Sequence, residues 1–183
     1  EMRRTYSPTR TLIRDAEEWH GTQVTNLIVG TKPFGASEKS SLVALSSSGF
    51  YYDFYEAFLN MEKQNAQVVN VSMGEFGEWI FGPGERIRKR LAESKLVLVI
   101  AAGNSHPKPV NDEATSTNAI IVGGIDANGK LFSDSQSHKS VTIVAPDTCP
   151  NTYSVGKNIK QPKGTSCATP VVTGVVADIL ALV

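Results

Sequence analysis

Apolar positions along this chain follow two different periods, and the two alternate. Short runs rich in apolar and β-branched residues recur at Thr11 to Ile13, Leu42 to Leu45, Val68 to Ser72, Leu96 to Ala101, Ala119 to Gly123 and Val141 to Ala145. Each predicts a strand. Between them, apolar residues return at helical spacing. Val24, Leu27 and Ile28 do so within His20 to Gly30, and Phe54, Tyr55, Phe58, Leu59 and Met61 within Tyr51 to Gln64. Gly84 to Ser94 reads as a helix behind Pro83, and the apolar run Val171 to Val183 as a buried one. Strand–helix alternation predicts an α/β fold, a mostly parallel sheet with helices on both faces. The unbroken run Leu96 to Ala101 suits a strand covered on both sides. Asp126-Ala127-Asn128-Gly129 predicts a hairpin with a type I′ turn, from its Asn-Gly pair. Residues 103–118 and 146–165 are dense in Pro, Gly, Asn and Ser. Those are long loops beyond the sheet, where sites are built. No repeat or linker divides the chain, so residues 1–183 are expected to form one domain.

Charge narrows the partners. Eighteen basic residues balance eighteen acidic ones, so no net field favours nucleic acid or an acidic membrane. The basic run Arg86 to Arg90 is interrupted at helical spacing by Ile87 and Leu91, as on a solvated helix face. Two cysteines, Cys149 and Cys167, do not make a disulfide framework. His20, His106 and His138 are far apart and no metal-ligand spacing occurs, so no metal and no cofactor is expected. No apolar run reaches membrane-spanning length and no signal peptide opens the chain. The abrupt polar start at Glu1 reads as a fragment of something longer.

The chemistry concentrates in four segments. Gly164-Thr165-Ser166-Cys167-Ala168-Thr169-Pro170 puts a serine on a glycine-led turn at a helix start. Such a serine is either an N-cap or a nucleophile whose developing charge the helix N-terminus favours. His20-Gly21-Thr22-Gln23-Val24 opens a helix with a histidine that is either structural or a general base. The strand from Val97 ends in Ala101-Ala102-Gly103-Asn104, where a side-chain amide either completes a turn or donates to an oxyanion. Val68-Val69-Asn70-Val71-Ser72-Met73-Gly74 runs from a strand into a segment where a peptide can pair by strand addition. Its Asn70-Val71-Ser72 is also a glycosylation sequon, out of place in a core strand.

In this order the four segments resemble the blocks of the subtilisin-like serine peptidases, or subtilases. Those read HGTxVAG, VINxSxG, AAGN and GTSxAxP, against HGTQV, VVNVSMG, AAGNS and GTSCATP in this chain. The resemblance spans His20 to Val183 and implies a three-layer subtilisin-like fold and a serine endopeptidase. It assigns Ser166 as nucleophile, His20 as general base and Asn104 as oxyanion donor together with the Ser166 N–H. Ser72, Met73 and Gly74 become one wall of a substrate channel, and Ser47, Ser48 and Gly49 the opposing edge. Ala101, Ala102 and Gly103 line the first specificity pocket. The implied partner is a polypeptide substrate, with no nucleic acid and no membrane, and a secreted location is favoured by resemblance alone.

The resemblance also exposes a gap. The family places an aspartate on a strand before its histidine, and only nineteen residues precede His20. None forms an apolar run ending in Asp-Ser/Thr-Gly, and Asp15 resembles a surface acid instead. The first strand is therefore expected to be absent from this chain and supplied by an N-terminal segment or a second chain. The alternative is a pseudo-peptidase that binds peptides or regulates a partner. Gln23 stands where the family has a second histidine, Thr25-Asn26 replaces Ala-Gly, and Cys167 takes a position often held by Met, as an oxidisable neighbour of the serine. Loop 31–40 has one carboxylate, Glu38, and no side-chain amide, short of the oxygen set a calcium site requires. Two further rivals are a cysteine peptidase using Cys167 and a phosphate loop at Gly124 to Lys130. The second lacks the Ser or Thr after its lysine and is better read as the Asn-Gly turn.

Overall fold

The computed structural model describes residues 19–31, 33–44, 51–73, 85–110, 118–149 and 163–183. Among them, α1 spans Trp19–Val29, α2 Tyr51–Lys63, β1 Val68–Val71, α3 Glu85–Glu93 and β2 Val97–Ala101. β3 spans Ile120–Ile125, β4 Ile143–Pro146 and α4 Thr165–Leu180. The strands form one sheet in the order β1-β2-β3-β4. Every pair is parallel, with Val69 opposite Leu98, Ile100 opposite Ile121 and Gly123 opposite Val144.

Period-two alternation divides the core. Val69, Val71, Leu98, Ile100 and Ile121 point to one face and pack with Phe58 of α2 and Leu91 of α3. Val99 and Val122 point to the other and pack with Ala145 and with Ala168 and Val172 of α4. Helices thus cover both faces, as an all-parallel sheet requires. Burial of each such valine, leucine or phenylalanine contributes about 1.5–3 kcal/mol. On the α2–α3 side, Glu62 accepts hydrogen bonds from Arg90 (2.5 Å) and Ser94 (2.8 Å). This ties the basic helix α3 to α2.

α1 packs on α4. Their close approach needs Gly174, where a Cβ would meet Ala36 Cβ at 2.6 Å and Ser37 N at 3.0 Å. Beside it, the buried Ser37 hydroxyl lies 2.5 Å from Asp178 Oδ1.

Three sequence expectations change. Leu42 to Ala44 form no strand, while Leu45 and Thr11 to Ile13 lie outside the described residues. The last helix begins at Thr165, well before Val171, and its buried residues all lie between Thr165 and Gly174, where the sheet, α1 and the loop after β4 enclose it. Past Gly174, Val175 and Ile179 are about half exposed, and Leu182, beyond the helix, more so. The hairpin forms, with Ile125 bridged to Leu131, but its turn differs in type. Gly129 N donates to Asp126 O at 3.0 Å, and only Gly129 has positive φ, at 76°. That is a type I turn closed by a left-handed glycine, which leaves Asn128 unstrained. The Asp126 carboxylate accepts the backbone N–H groups of Lys130 and Asn128, and these bonds hold its pKa below the ordinary carboxylate value.

Candidate active site

The carboxyl end of β2 meets the amino end of α4 through one hydroxyl and one amide. Gly103, at φ 102°, donates its N–H to Thr165 Oγ1 at 3.2 Å. Thr165 in turn directs its backbone N–H (2.9 Å) and its hydroxyl (3.1 Å) to Asn104 Oδ1. The helix N-cap is Gly164, which has no side chain to cap with. Asn104 therefore caps α4 from another element, satisfying one of the orphan N–H groups of its first turn. Glycine is needed at 164 on two counts. Its φ is 140°, and a Cβ would sit 3.0 Å from the Asn104 amide. Its N–H is held by Asp147 O at 2.7 Å.

This arrangement leaves two donors free. With its oxygen anchored, Asn104 has only Nδ2 to offer, and that nitrogen has no hydrogen-bond partner among the described residues. The backbone N–H of Ser166, in the first turn of α4, has none either. Donors at the positive end of a helix dipole, without partners among the described residues, have the chemistry that stabilises developing negative charge.

Ser166 is not the helix cap. Its Oγ donates to Ser72 O at 3.0 Å, at the carboxyl end of β1. Ser72 is buried and Met73 exposed; Ala101 and Ala102 are buried, Ala102 within the core under α2 and α3. Gly74, Ser47, Ser48, Gly49 and Asp15 lie outside the described residues. His20 sits in the first turn of α1, the helix that packs on α4. The residue is exposed overall, yet enough protein crowds the imidazole for desolvation to pull its pKa below the ordinary value of 6.5. Among the described residues the Ser166 hydroxyl bonds Ser72 rather than His20, a looseness common before substrate binds.

The cysteines are the main correction. Cys149 and Cys167 are joined in a buried disulfide, 18 residues apart in sequence. Cys167 is thus neither a free oxidisable thiol beside the serine nor a nucleophile. Leu27 of α1 packs on the disulfide, so it joins the loop after β4, the histidine helix and the serine helix. Nothing in the spacing announces this pairing; an even cysteine count is the only sequence signal. Closing a loop of this length stabilises the fold by about 3 kcal/mol. Replacing both cysteines with serine is expected to lower the thermal midpoint accordingly, and an unchanged midpoint in calorimetry would show the bond to be dispensable. Thr165 was also not anticipated from sequence, since its role depends on where β2 ends.

At Gly124 to Lys130 the chain forms a strand end and the hairpin, with no helix following, as the turn reading requires. Among the described residues no group of three or more His, Cys, Asp or Glu is placed to hold a metal ion. No described helix is long and apolar enough to cross a membrane.

A profile of the subtilase family matches residues 2–183. The chain belongs to the subtilase family. An alkaline proteinase of Hapsidospora chrysogena is 32% identical over 178 residues, covering 89% of this chain and 43% of the relative. Halolysin of Haloferax mediterranei is 29% identical over 177 residues, covering 91% and 34% respectively. The chain therefore spans less than half the length of either. Among solved structures, the prenylagaramide maturation protease PagA superposes with a TM-score of 0.69 at 26% identity, covering 89% of this chain and 64% of that one. A cold-adapted subtilisin-like serine proteinase gives 0.67 at 24%, covering 89% and 61%, and shows the shared subtilase fold.

Proposed function

We propose that this subtilase domain hydrolyses peptide bonds through an acyl-enzyme. His20 takes the Ser166 proton as Oγ attacks the scissile carbonyl. The carbonyl oxygen becomes an oxyanion between Asn104 Nδ2 and the Ser166 N–H. His20 then returns the proton to the leaving amine, and a water repeats the sequence to release the acid. Substrate backbone lies between Ser72-Met73-Gly74 and Ser47-Ser48-Gly49, with Ala101, Ala102 and Gly103 at the first specificity pocket. An aspartate on a segment outside these residues, in the same polypeptide or in a second chain, is the partner we assign to His20 Nδ1.

The observation that carries this reading is the anchored amide. Asn104 Oδ1 is occupied by Thr165, the residue before Ser166, so among the described residues its donor end is the one without a hydrogen-bond partner. A fluorophosphonate probe tests it: the adduct is expected on Ser166 by mass spectrometry, and a full-length protein that resists the probe would support a peptide-binding pseudo-peptidase.

The histidine sets the pH response. A general base works as neutral imidazole, and desolvation favours that form. kcat/KM is expected to rise with pH as His20 loses its proton and then level off; burial pulls that midpoint down, and the aspartate assigned to Nδ1 pulls it up. Replacing that aspartate with asparagine is expected to move the midpoint lower in the pH profile, and an unmoved midpoint would show that no such carboxylate faces His20.

A further inference from the structure

The face of β1 turned toward α4 carries Asn70 among apolar neighbours. Asparagine is disfavoured in strands, and a polar side chain withdrawn from water costs free energy unless bonded. Both ends of this amide are bonded. Nδ2 donates to Ser72 Oγ at 2.9 Å, and Oδ1 accepts at 2.9 Å from Thr173 Oγ1, whose single proton is shared with Thr169 O at 3.0 Å. Asn70 lies in β1 and Ser72 just past its end, and the bond between their side chains shows that they share a face. Ser166 and Thr173 are seven apart on α4, two turns, and also share a face. The nucleophile helix therefore meets the end of β1 at two points joined by one residue: Ser166 on the Ser72 carbonyl, and Thr173 on the Asn70 amide. The sequon residues Asn70 and Ser72 are bonded to each other, inside this junction.

We infer that Asn70 is a positioning residue of the peptidase site. By holding the Ser72 side chain and the third turn of α4 together, it sets where the Ser72 carbonyl stands and hence where the Ser166 hydroxyl rests before attack. Asn70 touches neither substrate nor nucleophile, so its effect passes through Ser72. The inference rests on Ser166 being the nucleophile.

The test measures fluorophosphonate acylation and steady-state peptide hydrolysis for Asn70→Ala, Ser72→Ala, the pair together and Thr173→Val, with a thermal midpoint for each. A shift of the attacking atom of about an ångström costs up to roughly 100-fold. Asn70→Ala is expected to slow acylation and kcat by about 10- to 100-fold, with KM nearly unchanged. Thr173→Val is expected to do the same to a smaller degree. Ser72→Ala keeps the carbonyl and removes only the hydroxyl that Asn70 holds, so adding it to Asn70→Ala should cost little more. Losses that multiply in the double variant, or Asn70→Ala acylating at the wild-type rate, would overturn the inference while the peptidase assignment stands. A wild-type protein that the probe leaves unlabelled would overturn both.

Discussion

Ser166→Ala is expected to remove measurable peptide hydrolysis and fluorophosphonate labelling while leaving the fold intact. In a serine–histidine pair the nucleophile and base act as a unit, and losing either costs on the order of 10⁶ in kcat. The structural cost is small because of what Ser166 does not do. It does not cap α4, since Gly164 is the N-cap and Asn104 Oδ1 takes the Thr165 N–H. Its hydroxyl gives up a single hydrogen bond, to Ser72 O, worth about 0.5–1.5 kcal/mol. Far-ultraviolet circular dichroism and the thermal midpoint should therefore stay close to wild type. Retained turnover in the alanine variant would remove Ser166 from the mechanism. A collapsed midpoint would mean that the hydroxyl is chiefly structural, as the cap reading of the sequence requires.

The parts of the site that were legible in the sequence are those where one residue type does one local job. A buried valine run ending in Ala-Ala-Gly-Asn marked the end of β2, because continuous apolar strands and glycine turns are local signals. The helix carrying His20 and the helix opening at Ser166 were likewise readable from period and turn residues. What was not legible depends on distance along the chain. The disulfide joins positions 18 residues apart across a loop whose path no periodicity records. The exact start of α4 escaped because its cap comes from Asn104, 61 residues earlier. A side-chain cap on the preceding residue would have been visible; one delivered from the turn after β2 is not. The type I turn at Asp126 to Gly129 was missed for a related reason. Asn-Gly permits a type I′ turn, but the Asp126 carboxylate holding the Asn128 and Lys130 N–H groups selects another. The apolar stretch from Val171 overstated burial, since hydropathy counts residues while the enclosure of the helix ends at Gly174 and leaves Val175 and Ile179 half exposed.

Asn104 does two jobs with the two ends of one amide, and substitutions can separate them. Its oxygen caps α4, accepting from Thr165 N and Thr165 Oγ1. Its nitrogen is the donor we propose for the oxyanion. Asn104→Asp keeps the acceptor and places a carboxylate at a helix N-terminus, where the dipole favours it by about 0.3–1 kcal/mol. Stability should be preserved or slightly raised. Catalysis should fall, because the donor is gone: losing one oxyanion donor raises the barrier by about 2.7–4 kcal/mol, or 10²–10³ in kcat. The new negative charge opposes the oxyanion and deepens that loss. KM should change little, since the ground-state carbonyl carries little charge to stabilise. Asn104→Leu removes both ends. It should lose a similar factor in kcat and in addition about 1 kcal/mol of stability, the usual cost of an absent cap. The pair of variants is decisive because stability and rate move apart in one and together in the other. If Asn104→Asp retained wild-type kcat, the free nitrogen would have no part in the reaction, and Asn104 would be a helix cap alone.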